Sequence, residues 1–322
     1  MRRSLSVPLA IAAAIACLAI GPATIAQTKL TTLRVATIPT DIGAEIYYAR
    51  DLGLFQKAGF DVEITPIQSG SAITAAVVSN AVDIGYSNLV SLSVAHEKGI
   101  NFTVLGLANM HAPRAVTAGI LVVARSSPIR SAKDLAGKTV AVNALGSLPE
   151  LGIRAWMERN GADPSQVKFV EFPFSALREA VTSGRVDAGA LEATNSQGID
   201  TPGSDVRRLA NVYDAIAPRF TPSAWFATTD WVTAHPADAK AFTAILYQTA
   251  KWANANHEAS AAILANYVNK SAPEIQTATR VEYATSTTTD YIQPVIDLAA
   301  HYGQLKAAFP AASLLGTPPA GR

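Results

Sequence analysis

The stretch SGSAITAAVVSNAVDIGYSNLVS, Ser69 to Ser91, decides the fold. Ser69-Gly70-Ser71 precedes apolar residues at helical spacing, Ile73, Ala76 and Val77, and predicts a helix with Ser71 as its N-cap. Val82, Ile84 and Tyr86 alternate as a short strand, and the polar pair Ser87-Asn88 follows it. In open α/β sheets, ligands bind beyond the carboxyl ends of strands, where helix N-termini present free N–H groups. The stretch therefore sets two polar loops, Ser69–Ser71 and Ser87-Asn88, where a small ligand would sit.

Part of this unit recurs. AVVSNAVDIG (Ala76 to Gly85) aligns with AVTSGRVDAG (Ala180 to Gly189), identical at six of ten positions. The shared frame is A-V-x-S-x-x-V-D-x-G. Many copies would indicate a solenoid; two indicate a pair of α/β lobes built alike. Elsewhere strand-like runs alternate with helical ones. Leu33–Ile38, Phe60–Ile64, Phe102–Leu107, Ala118–Ala124, Thr139–Asn143, Val167–Phe172, Val206–Asn211 and Ser223–Thr228 read as strands. From Pro236 the chain is Ala-rich and helical. This order predicts an α/β fold with a largely parallel sheet in each lobe.

The N-terminus reads as a leader. Met1-Arg2-Arg3 is basic, Val7 to Ile20 is almost wholly apolar, and Thr24-Ile25-Ala26 has the small residues of a cleavage site. The expected signal peptide is 1–26. Cys17, the only cysteine, falls inside it. The mature chain is then without a disulfide, a thiol nucleophile or a cysteine metal site. Of 322 residues, 26 are Lys or Arg and 25 are Asp or Glu, a balance that argues against a nucleic-acid partner. The length suffices for two lobes with their own cores. His96, His235, His257 and His301 are scattered without metal spacing. No G-x-S-x-G, H-E-x-x-H or glycine-rich phosphate loop is present. These absences disfavour the common hydrolases, and no cofactor is expected.

Several blocks, in order, resemble a known family. They are Leu33-Arg34-Val35-Ala36, then Tyr48-Ala49-Arg50-Asp51-Leu52-Gly53-Leu54-Phe55 with Gly59-Phe60-Asp61-Val62-Glu63, then Ser69-Gly70 through Gly85. Ser131 to Val142 (SAKDLAGKTVAV), Ser183 to Ala188 and Thr229 to Phe242 continue the series. Over about 33–267 the chain resembles the substrate-binding proteins of ABC importers for nitrate, aliphatic sulfonates and taurine, related in fold to the thiamine-precursor (Thi5-like) group. The resemblance implies a bilobed periplasmic binding protein of type II, with hinge strands at Ala118–Ala124 and Ser223–Thr228. Lobe one would comprise 32–117 and 230–305, lobe two 119–222, and 306–322 a C-terminal tail. It implies a monomeric periplasmic protein that takes a small organic anion between its lobes and delivers it to an inner-membrane ABC permease. A partner of a membrane sensor and a binder of pyrimidine or thiamine precursors are the alternatives. The family often has Trp-Glu-Pro after its second V-D-A strand; here Leu191-Glu192-Ala193 keeps the acid and loses the aromatic wall.

The expected ligand contacts follow from strand ends and helix starts. They are Thr40 and Asp41 after the first strand, Ser69, Gly70 and Ser71 at a helix start, Ser87 and Asn88, and Asn143 and Ser147 in the matching loop of lobe two. Glu192 and Asn195 hold the place in lobe two that Ser87-Asn88 hold in lobe one. Trp225 either looks into the cleft or packs in the core, and Arg114 is a candidate anion clamp or a solvated charge. Mass spectrometry of exported protein should find a chain starting at or near Gln27; an intact Met1 or a lipid on Cys17 would refute the leader assignment.

Overall fold

The computed structural model describes residues 30–112, 118–192 and 195–315. The expected leader 1–26, Cys17 and Arg114 lie outside the described residues. The first part of the chain runs β1 (Thr31–Thr37), α1 (Glu45–Asp51), α2 (Leu54–Lys57), β2 (Phe60–Pro66), α3 (Gly70–Val78), β3 (Ile84–Asn88), α4 (Leu89–Glu97), β4 (Phe102–Leu107) and β5 (Asn109–Met110). The middle runs β6 (Ile120–Ala124), β7 (Thr139–Val142), α5 (Leu148–Arg159), β8 (Lys168–Glu171), α6 (Phe174–Thr182), β9 (Ala188–Leu191) and β10 (Val206–Asn211). After β11 (Ser223–Thr228) come α7 (Thr229–Ala234), α8 (Pro236–Ala255), α9 (His257–Leu264), α10 (Ala272–Thr277), β12 (Glu282–Tyr283) and α11 (Gln293–His301).

Two five-stranded sheets share one topology. Their orders are β2-β1-β3-β11-β4 and β8-β7-β9-β6-β10. In each, three parallel strands are followed by one antiparallel strand that the chain supplies out of turn. The sheets are thus mixed rather than largely parallel. The segments expected as hinge strands, β6 and β11, are instead interior members of the two sheets. The crossings precede them: His111 and Phe220 exchange backbone hydrogen bonds, N to O 2.8 Å one way and 3.3 Å the other. Residues 306–315 are no free tail, because Ala311 and Leu314 are buried and Phe309 packs against His96.

The repeated sequence frame has a physical cause at each position. Val82 N donates to Ala76 O at 3.3 Å, and Val186 N to Ala180 O at 3.2 Å, turning the helix end back towards the sheet. The turn needs a left-handed residue, supplied by Asn80 (φ 57°) and Gly184 (φ 74°). The repeated aspartates extend the ladder: Arg34 N donates to Asp83 Oδ2 and Thr139 N to Asp187 Oδ2, both at 2.8 Å. The repeated glycines let the helix lie close, since a Cβ on Gly85 would sit 2.6 Å from Ile73 and one on Gly189 3.0 Å from Val181. The structure moves one boundary. Ser69, not Ser71, is the N-cap of α3, accepting from Ala72 N at 3.3 Å.

The core of the first lobe is built around β11. Trp225 is fully buried, edge-on to Tyr86 at 5.5 Å and to Phe242 at 6.0 Å. Its indole N–H donates to Glu45 Oε1 at 3.3 Å. It faces the core, which removes it from the expected ligand contacts. Burial dominates the ionisation of Glu45 and lifts its pKa to about 8, against the lowering effect of its own backbone N–H and of Trp225. The folded state therefore holds a proton there that the unfolded chain releases above its ordinary value. That contribution to stability is full below about pH 4.5 and is lost as pH rises through about 8. In urea titrations, the native protein should lose up to ~1.4 kcal/mol per pH unit to this group between pH 5 and 8. Glu45→Gln should flatten that slope relative to wild type; an unchanged slope would place the proton elsewhere.

Candidate functional site

The loops at the carboxyl ends of the parallel strands face each other across the two lobes and leave a cleft with two chambers. The inner chamber is the narrower of the two, a cavity of about 30 Å³. The first lobe contributes Ile38, Ile42, Tyr86, Asn88, Asn109, Pro222 and Ser223. Asn143, Pro149, Phe174 and Tyr213 face them, and Ala118 and Gly119 close the hinge side. The outer chamber, a cavity of about 310 Å³, is lined by Pro39, Thr40, Gln68, Ser175, Asn195, Tyr267, Val268, Asn269 and Lys270. Phe174, at the start of α6, belongs to both walls.

Among the described residues, the polar groups lining the inner chamber are amides and hydroxyls, with no ionised side chain. Asn109 Oδ1 accepts from the Tyr86 hydroxyl at 3.4 Å and from Ser223 Oγ. Its Nδ2 is buried without a partner. Asn88 caps α4 by accepting from Ser91 N at 3.0 Å, and its Nδ2 donates to Ser91 Oγ at 2.9 Å. In the outer chamber Thr40 Oγ1 is likewise buried and unpartnered. Tyr267 stacks on Tyr47 at 4.2 Å, with its hydroxyl on Asp51 at 2.6 and 2.7 Å and Arg50 over its ring.

The residues expected from sequence divide cleanly. Asn88 and Asn143 line the inner chamber, and Thr40 and Asn195 the outer one. Asp41 does not offer a free carboxylate. It is fully buried and accepts from Arg280 Nε at 3.0 Å, Arg280 Nη2 at 2.8 Å, Val281 N at 3.0 Å, and the Tyr48 and Tyr283 hydroxyls at 3.2 Å each. Burial pulls the Arg280 guanidinium down, and Asp41 more than offsets this, leaving it above its ordinary value. Gly70 and Ser87 form a structural joint instead: Ser87 Oγ donates to Gly70 O at 2.9 Å, and a Cβ on Gly70 would meet Ser87 Oγ at 2.6 Å. Ser69 is committed to its cap, and Ser71 lines a separate groove with Leu145, Gly146 and Gln304.

The loop before α5 is not an open anion seat. Leu145 N donates to Glu171 Oε1 at 2.6 Å and Gly146 N to Glu150 Oε2 at 2.9 Å, so the protein's own carboxylates occupy it. Ser147 is buried, with its hydroxyl 3.5 Å from Asn143 Oδ1. Glu192 is fully buried and accepts from Asn195 N at 3.1 Å and Asn195 Nδ2 at 2.6 Å. Sequence reasoning missed Tyr86, Asn109, Phe174, Tyr213 and Lys270. Asn109 carried the clearest signal, a polar residue at the exit of the apolar run Phe102–Leu107. Among the described residues, no group of three or more His, Cys, Asp or Glu could hold a metal ion, and no helix is long and apolar enough to cross a membrane.

A cleft closed between twin mixed sheets is the frame of a periplasmic binding protein, and residues 43–260 match the family model described as NMT1/THI5 like. The chain belongs to that family. It is 27% identical over 187 residues to the taurine-binding periplasmic protein of Escherichia coli, covering 58% of this chain and 56% of that one. It is 25% identical over 190 residues to a Brachyspira hyodysenteriae protein named for periplasmic binding in an ABC transporter, covering 55% and 53%. These matches span about half the length of the relatives. The alkanesulfonate-binding protein SsuA of Xanthomonas axonopodis pv. citri, solved with bound MOPS, superposes with a TM-score of 0.73 at 16% identity, over 88% of this chain and 97% of its own. The shared architecture is therefore the bilobed one.

Breaking the buried pair should be costly. Asp41→Asn leaves Arg280 charged without its counter-ion, and ~3–5 kcal/mol of stability should be lost in urea unfolding. A loss below about 1 kcal/mol would show that the pair is not needed to hold this loop.

Proposed function

We infer that this chain is the solute-binding component of an ABC importer and carries a small organic anion between its lobes to a membrane permease. The observation that carries the reading is the interlobe cleft, lined from both lobes, in a family member whose named relatives are periplasmic binding proteins, one of them named for an ABC transporter. The protein works outside the inner membrane and performs no chemistry on its cargo. Among the described residues, its polar cleft groups are amides, hydroxyls and one lysine, which bind and orient and include no poised nucleophile or proton-transfer pair.

Closure is supported by contacts that already bridge the lobes. Gln197 Nε2 donates to Thr277 Oγ1 at 2.7 Å, and Glu158 on α5 accepts from the Tyr302 hydroxyl at 2.5 Å and meets His301 Nε2 at 3.0 Å. A ligand that binds only the closed form adds its binding energy to these contacts.

Thermal unfolding against taurine, alkanesulfonates, nitrate and organic carboxylates should pick out one class. At a hundredfold excess over Kd the gain is ~2.7 kcal/mol, a rise in Tm of roughly 5–10 °C for a chain of this size. The selected compound should be recovered unaltered. Its chemical conversion, or no shift with any anion, would overturn the reading.

A further inference from the structure

We propose that the ligand is an elongated organic acid: its acid end lies in the outer chamber at Lys270 and Thr40, and a neutral carbonyl-bearing end lies in the inner chamber at Asn109. This rests on the solute-binding reading and assigns the ligand's class and direction.

Two buried polar atoms point to it independently. Thr40 is 7% exposed and Asn109 1%, and both Thr40 Oγ1 and Asn109 Nδ2 are without partners. A buried donor left unmet costs about 1–3 kcal/mol, so such atoms are retained where something else satisfies them. One lines each chamber, and Phe174 is the wall common to both. A ligand meeting both donors must therefore pass Phe174 and cannot be a compact ion such as nitrate.

Charge sets the direction. Among the described residues, Lys270 is the one ionised side chain lining the outer chamber. Glu274 lies near it, but that carboxylate is held by Ser271 N at 2.7 Å and Ser271 Oγ at 2.6 Å. Among the described residues the inner chamber is lined by no cation, and the nearest loop amides are taken by Glu150 and Glu171. Its Tyr86 hydroxyl is held up chiefly by burial, with the negative field of Glu192 among the smaller causes. An acid placed there would be desolvated beside a buried carboxylate, whereas a carbonyl oxygen accepts from Asn109 Nδ2 at no such cost. Ile38, Ile42, Pro149 and Pro222 give the inner chamber apolar walls around that end, and Phe174 flanks the passage between the chambers.

Calorimetric titration of the full mature chain tests this with benzoate, acetophenone, taurine, and three benzoates carrying a para acetyl, acetamido or carbamoyl group. At least one carbonyl-bearing benzoate should bind about tenfold or more tightly than benzoate, acetophenone or taurine, the gain expected from one hydrogen bond to a charged group or its neutral counterpart. Thr40→Val removes a hydroxyl that has no protein partner, so Tm should hold while affinity for that probe falls severalfold. Asn109→Asp keeps the acceptor used by Tyr86 and Ser223 and removes the donor, and should reduce the probe to the affinity of benzoate. No preference for the longer acids, or unchanged affinity in Thr40→Val, would overturn the proposal. Tight taurine binding with weaker binding of every benzoate would also overturn it, yet leave the solute-binding role intact. Conversion of any probe would remove both.

Discussion

Asp41 and Arg280 stand 239 residues apart in sequence and meet in the core of the first lobe with two guanidinium contacts of 2.8 and 3.0 Å. The loop from Ile38 to Ile42 depends on this pair. Its members serve both chambers: Ile38 and Ile42 line the inner one, Pro39 and Thr40 the outer one. Asp41 between them points the opposite way and is gripped by Arg280, Val281, Tyr48 and Tyr283. A buried ion pair adds little net stability over a well-packed apolar substitute. What it adds here is position. The C-terminal segment that carries Arg280 becomes a brace for the floor of the cleft, which would otherwise be a free loop.

The same economy of charge runs through the whole site. Among the described residues, four acidic side chains near the cleft are spent on the protein. Glu150 and Glu171 hold the loop before α5, Glu192 holds Asn195, and Asp51 holds Tyr267. Among the described residues, the groups left lining the cavity are neutral apart from Lys270. Binding then relies on directional hydrogen bonds, each stronger away from bulk water, where a mismatch is also penalised more.

The fold was largely legible in the sequence because its signals are local. The A-V-x-S-x-x-V-D-x-G frame encodes a helix end, a left-handed turn, a ladder-extending aspartate and a glycine for close packing, all within ten residues. Strand bounds such as Phe102–Leu107, Val206–Asn211 and Ser223–Thr228 could be read directly from composition. The position of β6 and β11 within the sheets could not, because antiparallel insertion is a long-range choice with no mark in either segment. The site was half legible for the same reason. Asn88, Asn143, Thr40 and Asn195 follow from strand ends. The fate of Asp41 depended on Arg280, that of Ser147 on the carboxylates around its loop, and that of Trp225 on Glu45, each brought there by tertiary packing.

The out-of-turn strand also dictates an order of assembly. All five strands of the second sheet fall between Ile120 and Asn211, one unbroken run of chain. The first sheet has β11 between β3 and β4, so its edge strand β4 has nothing to pair with until Ser223–Thr228 arrives. A chain emerging from its N-terminus can thus complete its second lobe before its first. Until then, β3 and β4 present unpaired edges of the kind that invite pairing with other chains.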